Sequence, residues 1–235
     1  MTSGNSSRRS ASGTSAGWPA APSFAPCAQI NPHFLFNALN AIAGLIPDQP
    51  QLADETVEQL AQVFRYTLRK SEKEWARLDE EVEFAAAYLR VEQARFGERL
   101  RVEFQVDPST DTIQVPAMSI QPLIENAVKH GVSAVEGRGT VGLRARLLEG
   151  WLSIEVFDNG PGFPAGFSLS EPASPNTGGY GLRNVAERLR GYYGDLAQLY
   201  WENGADGTHV FMRIPHPPPD LTGRNQSDPG TDRRR

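Results

Sequence analysis

The spacing of apolar residues changes near residue 98, and this change constrains the fold more than any other feature of the sequence. Before it, apolar residues recur every three or four positions, as one face of an α-helix requires. After it, they alternate with polar residues, as half-buried strands require. The sequence therefore predicts an α+β chain, in which a helical region over 27–97 precedes an α/β sandwich over 98–216.

The first two predicted helices form an antiparallel hairpin. Asn31 and Pro32 favour a helix start, because Pro in the first turn gives up only an N–H that has no partner there. Pro47 and Pro50 break the helix. Such a hairpin leaves an apolar seam that a second copy would cover in a four-helix bundle, so we expect a homodimer through the hairpin. The predicted apolar stripes are Leu35, Leu39, Ile42 and Ile46; Val57, Leu60, Phe64 and Leu68; and Leu78, Val82, Ala85, Leu89 and Phe96.

Strands are predicted where the alternation continues, at 102–106, 141–147, 152–156 and 210–214, with helices at about 119–131 and 181–191. The flanking segments 1–26 and 217–235 are rich in polar residues, Gly and Pro, and are expected to form a disordered leader and tail. The net charge of −5 argues against a nucleic-acid partner. The single cysteine excludes a disulfide framework. No run reaches the ~18–20 apolar residues of a membrane span, and we expect a cytoplasmic protein.

Three polar motifs occur in the second half of the chain. The first, QPLIENAVKHG at 121–131, places Glu125, Asn126, Lys129 and His130 within about one and a half helical turns. An amide oxygen beside cationic groups suits a Mg²⁺-bound triphosphate. A solvated helix face accounts equally well for this motif alone.

The second motif, FDNGPGF at 157–163, ends a predicted strand. It is read either as an ordinary hairpin turn or as a buried carboxylate, Asp158, that accepts a hydrogen bond from an exocyclic amine such as adenine N6. The third, TGGYGLRNV at 177–185, places three glycines before a helix start, where backbone N–H groups and the helix dipole favour phosphate. It matches neither a P-loop nor a dinucleotide fingerprint.

The order of these motifs, followed by Gly207-Thr208 before a last strand, resembles the GHKL (Bergerat) ATP-binding domain shared by gyrase, heat-shock chaperones, histidine kinases and MutL, over about residues 100–215. The resemblance implies ATP and Mg²⁺ as cofactors and a mobile ATP lid at 164–180. It implies that Asn126 holds Mg²⁺, that Asp158 reads adenine, and that Thr208 supports Asp158 through a water. The remaining implied nucleotide contacts are Lys129, His130, Gly160, Gly162, Gly179, Tyr180, Gly181 and Leu182.

Members of this superfamily that hydrolyse ATP carry a water-activating Glu four residues before the Asn. Pro122 stands at that position and cannot act as a base, which favours phosphotransfer over hydrolysis. Glu125, next to Asn126, is the candidate base.

The segment QINPHFLFNALN at 29–40 resembles the phosphoacceptor box of LytS/YehU-type sensor histidine kinases, and matches continue at 64–66, 78–81, 88–89 and 93–97. The resemblance implies a two-component protein-histidine kinase that autophosphorylates His33 and passes the phosphoryl group to a response-regulator receiver domain. A neutral imidazole near its ordinary pKa of about 6.5 is a competent nucleophile. Asn37 lies one helical turn later and could orient the ring or a water. The alternative is a histidine packed beside Phe34 and Phe36.

Two departures from the family pattern affect these expectations. Many histidine kinases carry an acidic residue directly after the histidine, where Phe34 stands here. The family also continues a long helix into this box from a membrane sensor, and residues 1–26 interrupt that helix. The chain is then a kinase fed by a separate sensor protein, a fragment, or a degenerate copy.

Two other functions are compatible with the same ATP fold: an ATP-binding scaffold or anti-sigma-type serine kinase, and a gyrase-type ATPase. For histidine phosphotransfer, a hinge near 97–101 would bring His33 and ATP together.

Overall fold

The computed structural model describes residues 31–70, 73–169 and 180–217. The predicted leader at 1–26, all but the first residue of the predicted tail, and residues 170–179 of the predicted lid, Gly179 among them, lie outside the described residues.

In the described part of the first half, three helices lie where they were predicted: α1 at Pro32–Leu45, α2 at Pro50–Lys70 and α3 at Leu78–Phe96. The Asn31 side chain caps α1 by accepting a hydrogen bond from the backbone N–H of His33 at 3.0 Å. Both α1 and α2 pack against α3. Within the described residues, no helix is long and apolar enough to cross a membrane.

The buried faces of α1 and α2 differ from the predicted stripes. The first helix buries Phe34, Ala38 and Ile42 instead of the face centred on Leu39, which is 48% exposed. In α2, Leu68 is 70% exposed. The hairpin therefore carries two apolar faces, one packed against α3 and one uncovered in the single chain. The exposed large apolar side chains of the hairpin are Phe36, Leu39, Ile46, Leu52, Val57 and Leu68.

The second half is built on a five-stranded sheet. Its strands are β2 at Leu100–Val106, β4 at Gly139–Leu148, β5 at Trp151–Asp158, β6 at Gln198–Gly204 and β7 at Gly207–Pro215. They lie in the order β2-β4-β5-β7-β6. Only β2 and β4 are parallel neighbours; the other pairs are antiparallel. Strands are found where β2, β4, β5 and β7 were predicted, and burial alternates along β4, β5 and β7. Along β2, at the edge of the sheet, it does not alternate, and Phe104 is 36% exposed. Strand β6 was not predicted.

Two helices accompany the sheet in the predicted places. Helix α4 spans Gln121–Asn126 and continues as a π-helical turn over Ala127–Gly131, and α5 spans Tyr180–Tyr193. The inward residues of β5 (Leu152, Ile154 and Val156) and Leu182 and Leu189 of α5 are almost fully buried. This core holds the ends of β5, α4 and α5 in fixed positions.

A second, unpredicted sheet joins the two halves. Strand β1 at Trp75–Arg77 pairs antiparallel with β3 at Gln114–Pro116. Beside it, the buried carboxylate of Glu81 on α3 accepts hydrogen bonds from the backbone N–H groups of Met118 at 2.5 Å and Ile120 at 3.0 Å, and from the Tyr66 hydroxyl. The chain segment at 97–101 is therefore not the sole connection between helical region and sandwich.

Candidate functional site

A small cavity of about 60 Å³ opens beside Asp158, the last residue of β5. Asp158 is 5% exposed, and its strand partner in register is Thr208 on β7. The cavity wall combines polar groups with apolar rings, as a pocket for a flat heterocycle requires. The lining residues are Asn126, His130, Asp158, Gly162, Phe163, Pro164, Phe167 and Thr208.

The Asp158 carboxylate is held by local donors inside this cavity. Burial raises its pKa to about 6, against the lowering effect of hydrogen bonds from the backbone N–H of Gly160, at 2.8 Å, and from the Thr208 side chain. Thr208 thus contacts the carboxylate directly, where the sequence implied a water between them. A carboxylate still ionised at neutral pH retains acceptor capacity for an amine donor in the cavity.

Glycines allow the backbone to close around this carboxylate. A Cβ on Gly131 would lie 2.5 Å from Asp158 Cγ, and one on Gly160 would lie 2.4 Å from the Cα of Gly131. Gly162 adopts φ +87°, a conformation that L side chains rarely adopt. Gly131 was not selected from the sequence, although the first motif ends on it.

A larger cleft of about 550 Å³ lies next to this cavity and shares Asn126 and His130 with it. Its wall comes from both halves of the chain, so the predicted phosphoacceptor and the predicted phosphate contacts meet in one space. The predicted residues that line it are His33, Asn37, Glu125, Asn126, Lys129, His130, Tyr180, Gly181 and Leu182.

The phosphoacceptor candidate is exposed at the start of α1. Asn37 Nδ2 lies 3.2 Å from Nδ1 of His33, which confirms that the two side chains share one helix face. The neighbouring Phe34 turns the other way and stacks on Tyr88 of α3 with 4.5 Å between ring centroids. This contact holds the start of α1 at the cleft and separates the buried ring from the exposed imidazole.

The opposite wall of the cleft carries the first motif. Burial raises the pKa of Glu125, and the Gln121 amide, with its Nε2 2.7 Å from Glu125 Oε1, opposes that effect. Burial and the adjacent Lys129 lower the pKa of His130 below its ordinary 6.5. The His130 ring is therefore neutral at pH 7, while Lys129 supplies positive charge.

The start of α5 closes the cleft. A Cβ on Gly181 would lie 2.9 Å from Pro122 Cβ, so glycine allows this helix start to approach α4 closely. The N-terminus of this 14-residue helix favours an anion. The residues present thus fit a nucleotide, with a ring amine at Asp158 and an anionic chain between Lys129 and α5.

Two charged residues that the sequence analysis did not select also line the cleft. Glu92 and Arg95 lie on α3 and form an ion pair, with 3.2 Å between Arg95 Nη1 and Glu92 Oε2. Their spacing of three residues on one predicted helix was the available signal, and it is equally typical of a surface pair.

A mixed sheet ending in a buried Asp, an Asn-bearing helix and a glycine-led helix define an ATP-binding domain of the gyrase, HSP90 and histidine kinase type. Comparison with known proteins agrees. Residues 25–100 match the family model described as histidine kinase, and residues 116–218 match that of the histidine kinase-, DNA gyrase B- and HSP90-like ATPases.

Curated relatives specify the branch. The sensor histidine kinase BtsS of Escherichia coli K12 is 39% identical over 189 residues, which cover 80% of this chain and 32% of BtsS. The sensor protein LytS of Staphylococcus epidermidis RP62A is 33% identical over 193 residues, covering 80% of this chain and 33% of LytS. Over 80% of its length the chain is therefore similar to LytS-type sensor histidine kinases, and it carries segments that match the histidine kinase model and the histidine kinase-like ATPase model.

The chain spans about a third of the length of these curated relatives. Among solved structures, the catalytic domain of histidine kinase ThkA is similar over 62% of this chain and 97% of that chain, at 18% identity and a TM-score of 0.47.

Proposed function

We propose that the chain is the catalytic part of a two-component sensor histidine kinase, which transfers the γ-phosphoryl group of ATP to His33 and then to a response-regulator aspartate. The observation that carries this proposal is the shared cleft: His33 and Asn37 line it from the helical side, and Asn126 and Lys129 from the ATP side.

The lining of the two cavities supports the following nucleotide roles. Asp158, supported by Thr208, accepts the adenine amine, and the turn at Gly160 and Gly162 shapes the pocket. Lys129, the neutral His130 and the backbone at 180–182 contact the phosphates. Gly179 lies outside the described residues, and its contact with the phosphates is proposed from the sequence alone.

Asn126 offers an amide oxygen, which is a hard ligand of the kind that Mg²⁺ prefers. When bound, Mg²⁺ neutralises charge on the phosphates.

The chemistry at His33 requires a base. Because the Asn37 amide nitrogen donates to Nδ1, the neutral imidazole carries its proton on Nε2. In this tautomer Nε2 can attack only as its proton is removed, so Glu125, whose raised pKa makes it a stronger base than an ordinary glutamate, accepts the Nε2 proton as the attack begins. The electron pair freed on Nε2 forms the P–N bond. The bond from the γ-phosphorus to the bridging oxygen breaks, and its electron pair leaves on ADP.

Two partners follow from this function. The uncovered apolar face of the hairpin supports a homodimer, since exposed apolar surface of this kind marks an interaction site. A receiver domain accepts the phosphoryl group, and a separate sensor protein provides the input if no sensor is joined to this chain.

Incubation with γ-labelled ATP tests the proposal. We expect label that is labile to acid and stable to alkali in the wild-type chain, and none in His33→Ala; Asn126→Asp and Asp158→Asn abolish it. Label that persists in His33→Ala would refute the acceptor assignment. Acid-stable label on a partner protein supports the anti-sigma-type alternative, and steady phosphate release far above autophosphorylation supports the ATPase.

A further inference from the structure

The ion pair of Glu92 and Arg95 differs from an ordinary surface ion pair in the burial of its two side chains. Glu92 is a charged residue whose side chain is 4% exposed, whereas that of Arg95 is 34% exposed and reaches the cleft. The Arg95 guanidinium also lies over the Phe96 ring, 4.6 Å from its centroid. One end of the pair is thus fixed inside the fold, and the other is open to the phosphotransfer cleft.

Burial of Glu92 costs stability that the pair with Arg95 does not recover in full. Burial raises the pKa of the Glu92 carboxyl, Arg95 lowers it, and the nearby Glu125 raises it again. Replacing such a buried pair by apolar residues is often neutral or stabilising. A purely structural role therefore does not explain well why the carboxylates of Glu92 and Glu125 lie near each other beside the cleft.

The position of the pair relative to His33 follows from α3. Tyr88, Glu92 and Arg95 are spaced by four and three residues, so they share one face of the helix. Phe34 stacks on Tyr88 at one end of this face, and His33 is the next residue along the chain. All five side chains line the same cleft, so Arg95 adds a cation from the helical side to a cleft that Lys129 also lines.

We propose that Arg95 is a catalytic residue that contacts the γ-phosphoryl group during its transfer to His33, and that Glu92 is a positioning residue that holds the guanidinium in place. This inference rests on the proposed function. The phosphoryl oxygens carry negative charge throughout the transfer, while the P–N bond forms at His33 and the electron pair of the breaking P–O bond leaves on ADP. A guanidinium fixed in advance by a buried carboxylate stabilises that charge with little reorganisation.

Nucleotide binding tests the contact without phosphotransfer. Titration calorimetry with Mg²⁺ compares ADP with the β,γ-imido analogue of ATP, which differs by the γ-phosphoryl group. In Arg95→Gln we expect the preference for the analogue over ADP to fall at least about fivefold, with ADP affinity unchanged within about twofold. Arg90→Gln is the matched control, because Arg90 is an exposed residue of the same helix that contacts Gln59 instead.

Autophosphorylation then tests the catalytic role. In Arg95→Gln the rate at saturating ATP should fall about 100-fold or more, in the range found for loss of one transition-state donor. Arg95→Lys should recover part of that rate, since lysine keeps the charge but not the planar fork. Glu92→Gln should lower the rate less than Arg95→Gln, with little change in the KM for ATP.

Three results would overturn the proposal: an unchanged nucleotide preference in Arg95→Gln, an equal loss in Arg90→Gln, or a loss in Arg95→Lys as complete as in Arg95→Gln. If Arg95→Gln does not fold, the rate and preference of Arg95→Lys decide the question alone. Absence of label in the wild-type chain would refute the proposed function, while the calorimetric comparison would still report on the Arg95 contact.

Discussion

Replacement of Asp158 by Asn should make the chain more stable and at the same time weaken its binding of nucleotide. The Asp158 carboxyl has a pKa of about 6 in the folded chain, against an ordinary 3.8, chiefly because it is buried. That difference corresponds to about 3 kcal/mol of destabilisation once the group is ionised in the folded chain. The side chain of Asn is nearly the same size and carries no charge.

The sign of the pH dependence follows from the raised pKa. Between pH 4 and 6 the folded chain binds a proton at Asp158 that the unfolded chain does not, so stability falls as the pH rises through this window. At pH 7.5 the loss is complete, and Asp158→Asn should raise the free energy of unfolding by about 2–3 kcal/mol. At pH 4 the gain should be much smaller, because the native carboxyl is already neutral in the fold.

Urea unfolding without nucleotide at both pH values measures this gain, and calorimetry with ADP measures binding. ADP affinity should fall about 10–100-fold in Asp158→Asn, as expected for loss of a charge-assisted hydrogen bond. In the wild-type chain, affinity should decline as the pH falls through about 6. Asp54→Asn, at an exposed position of α2, is the control and should change neither quantity. Equal stability of Asp158→Asn and wild type at pH 7.5 would refute the reasoning.

Four further changes have defined outcomes. Gly131→Ala brings a Cβ to within 2.5 Å of Asp158 Cγ, so calorimetry should show ADP affinity reduced at least about tenfold. Glu81→Ala leaves two buried backbone N–H groups without their acceptor, and urea unfolding should show a loss of about 3 kcal/mol. Leu39→Ser combined with Leu68→Ser should shift the dimer equilibrium in sedimentation at least about tenfold toward monomer, with the secondary structure retained. Asn37→Asp should make labelling of His33 less sensitive to Glu125→Gln, because a carboxylate on Nδ1 places the ring proton there and frees Nε2; equal sensitivity in both backgrounds contradicts this.

The sequence was sufficient for the parts of the fold that a regular pattern determines. The strand alternation of β5 and β7 and the Pro-led start of α1 follow from local chemistry and are found where expected. The small sheet of β1 and β3 was not predictable, because each strand has three residues and gains its partner only through tertiary contact. The inward face of α1 was also misjudged, because this helix carries apolar residues on two faces and periodicity alone does not rank them.

The same distinction, between what a local sequence pattern determines and what depends on tertiary contact, applies to the residues of the candidate site. Residues in a distinctive order along the chain, such as Asn126 and Asp158, could be selected from sequence. Gly131 could not, since its importance comes from a 2.5 Å approach to a side chain 27 positions away in the sequence. Arg95 could not either, because an ion pair of this spacing looks the same on a solvated helix and in a cleft.

The buried carboxylates fall into two groups: one that serves the stability of the fold and one that faces a cavity. Glu81, Glu92 and Asp158 are all shielded from water, and burial raises the pKa of each. Glu81 accepts hydrogen bonds from Tyr66, Met118 and Ile120, and it lines neither the small cavity nor the cleft. Its carboxylate therefore has its partners within the fold. Asp158 and Glu92 have fewer donors within the described part of the chain, and both face a cavity. A buried charge that lacks some of its hydrogen-bond partners stabilises the fold poorly. Its presence is best explained by a ligand that supplies the missing interactions. Asp158 meets this criterion directly, whereas Glu92 meets it through Arg95, whose guanidinium it holds at the cleft.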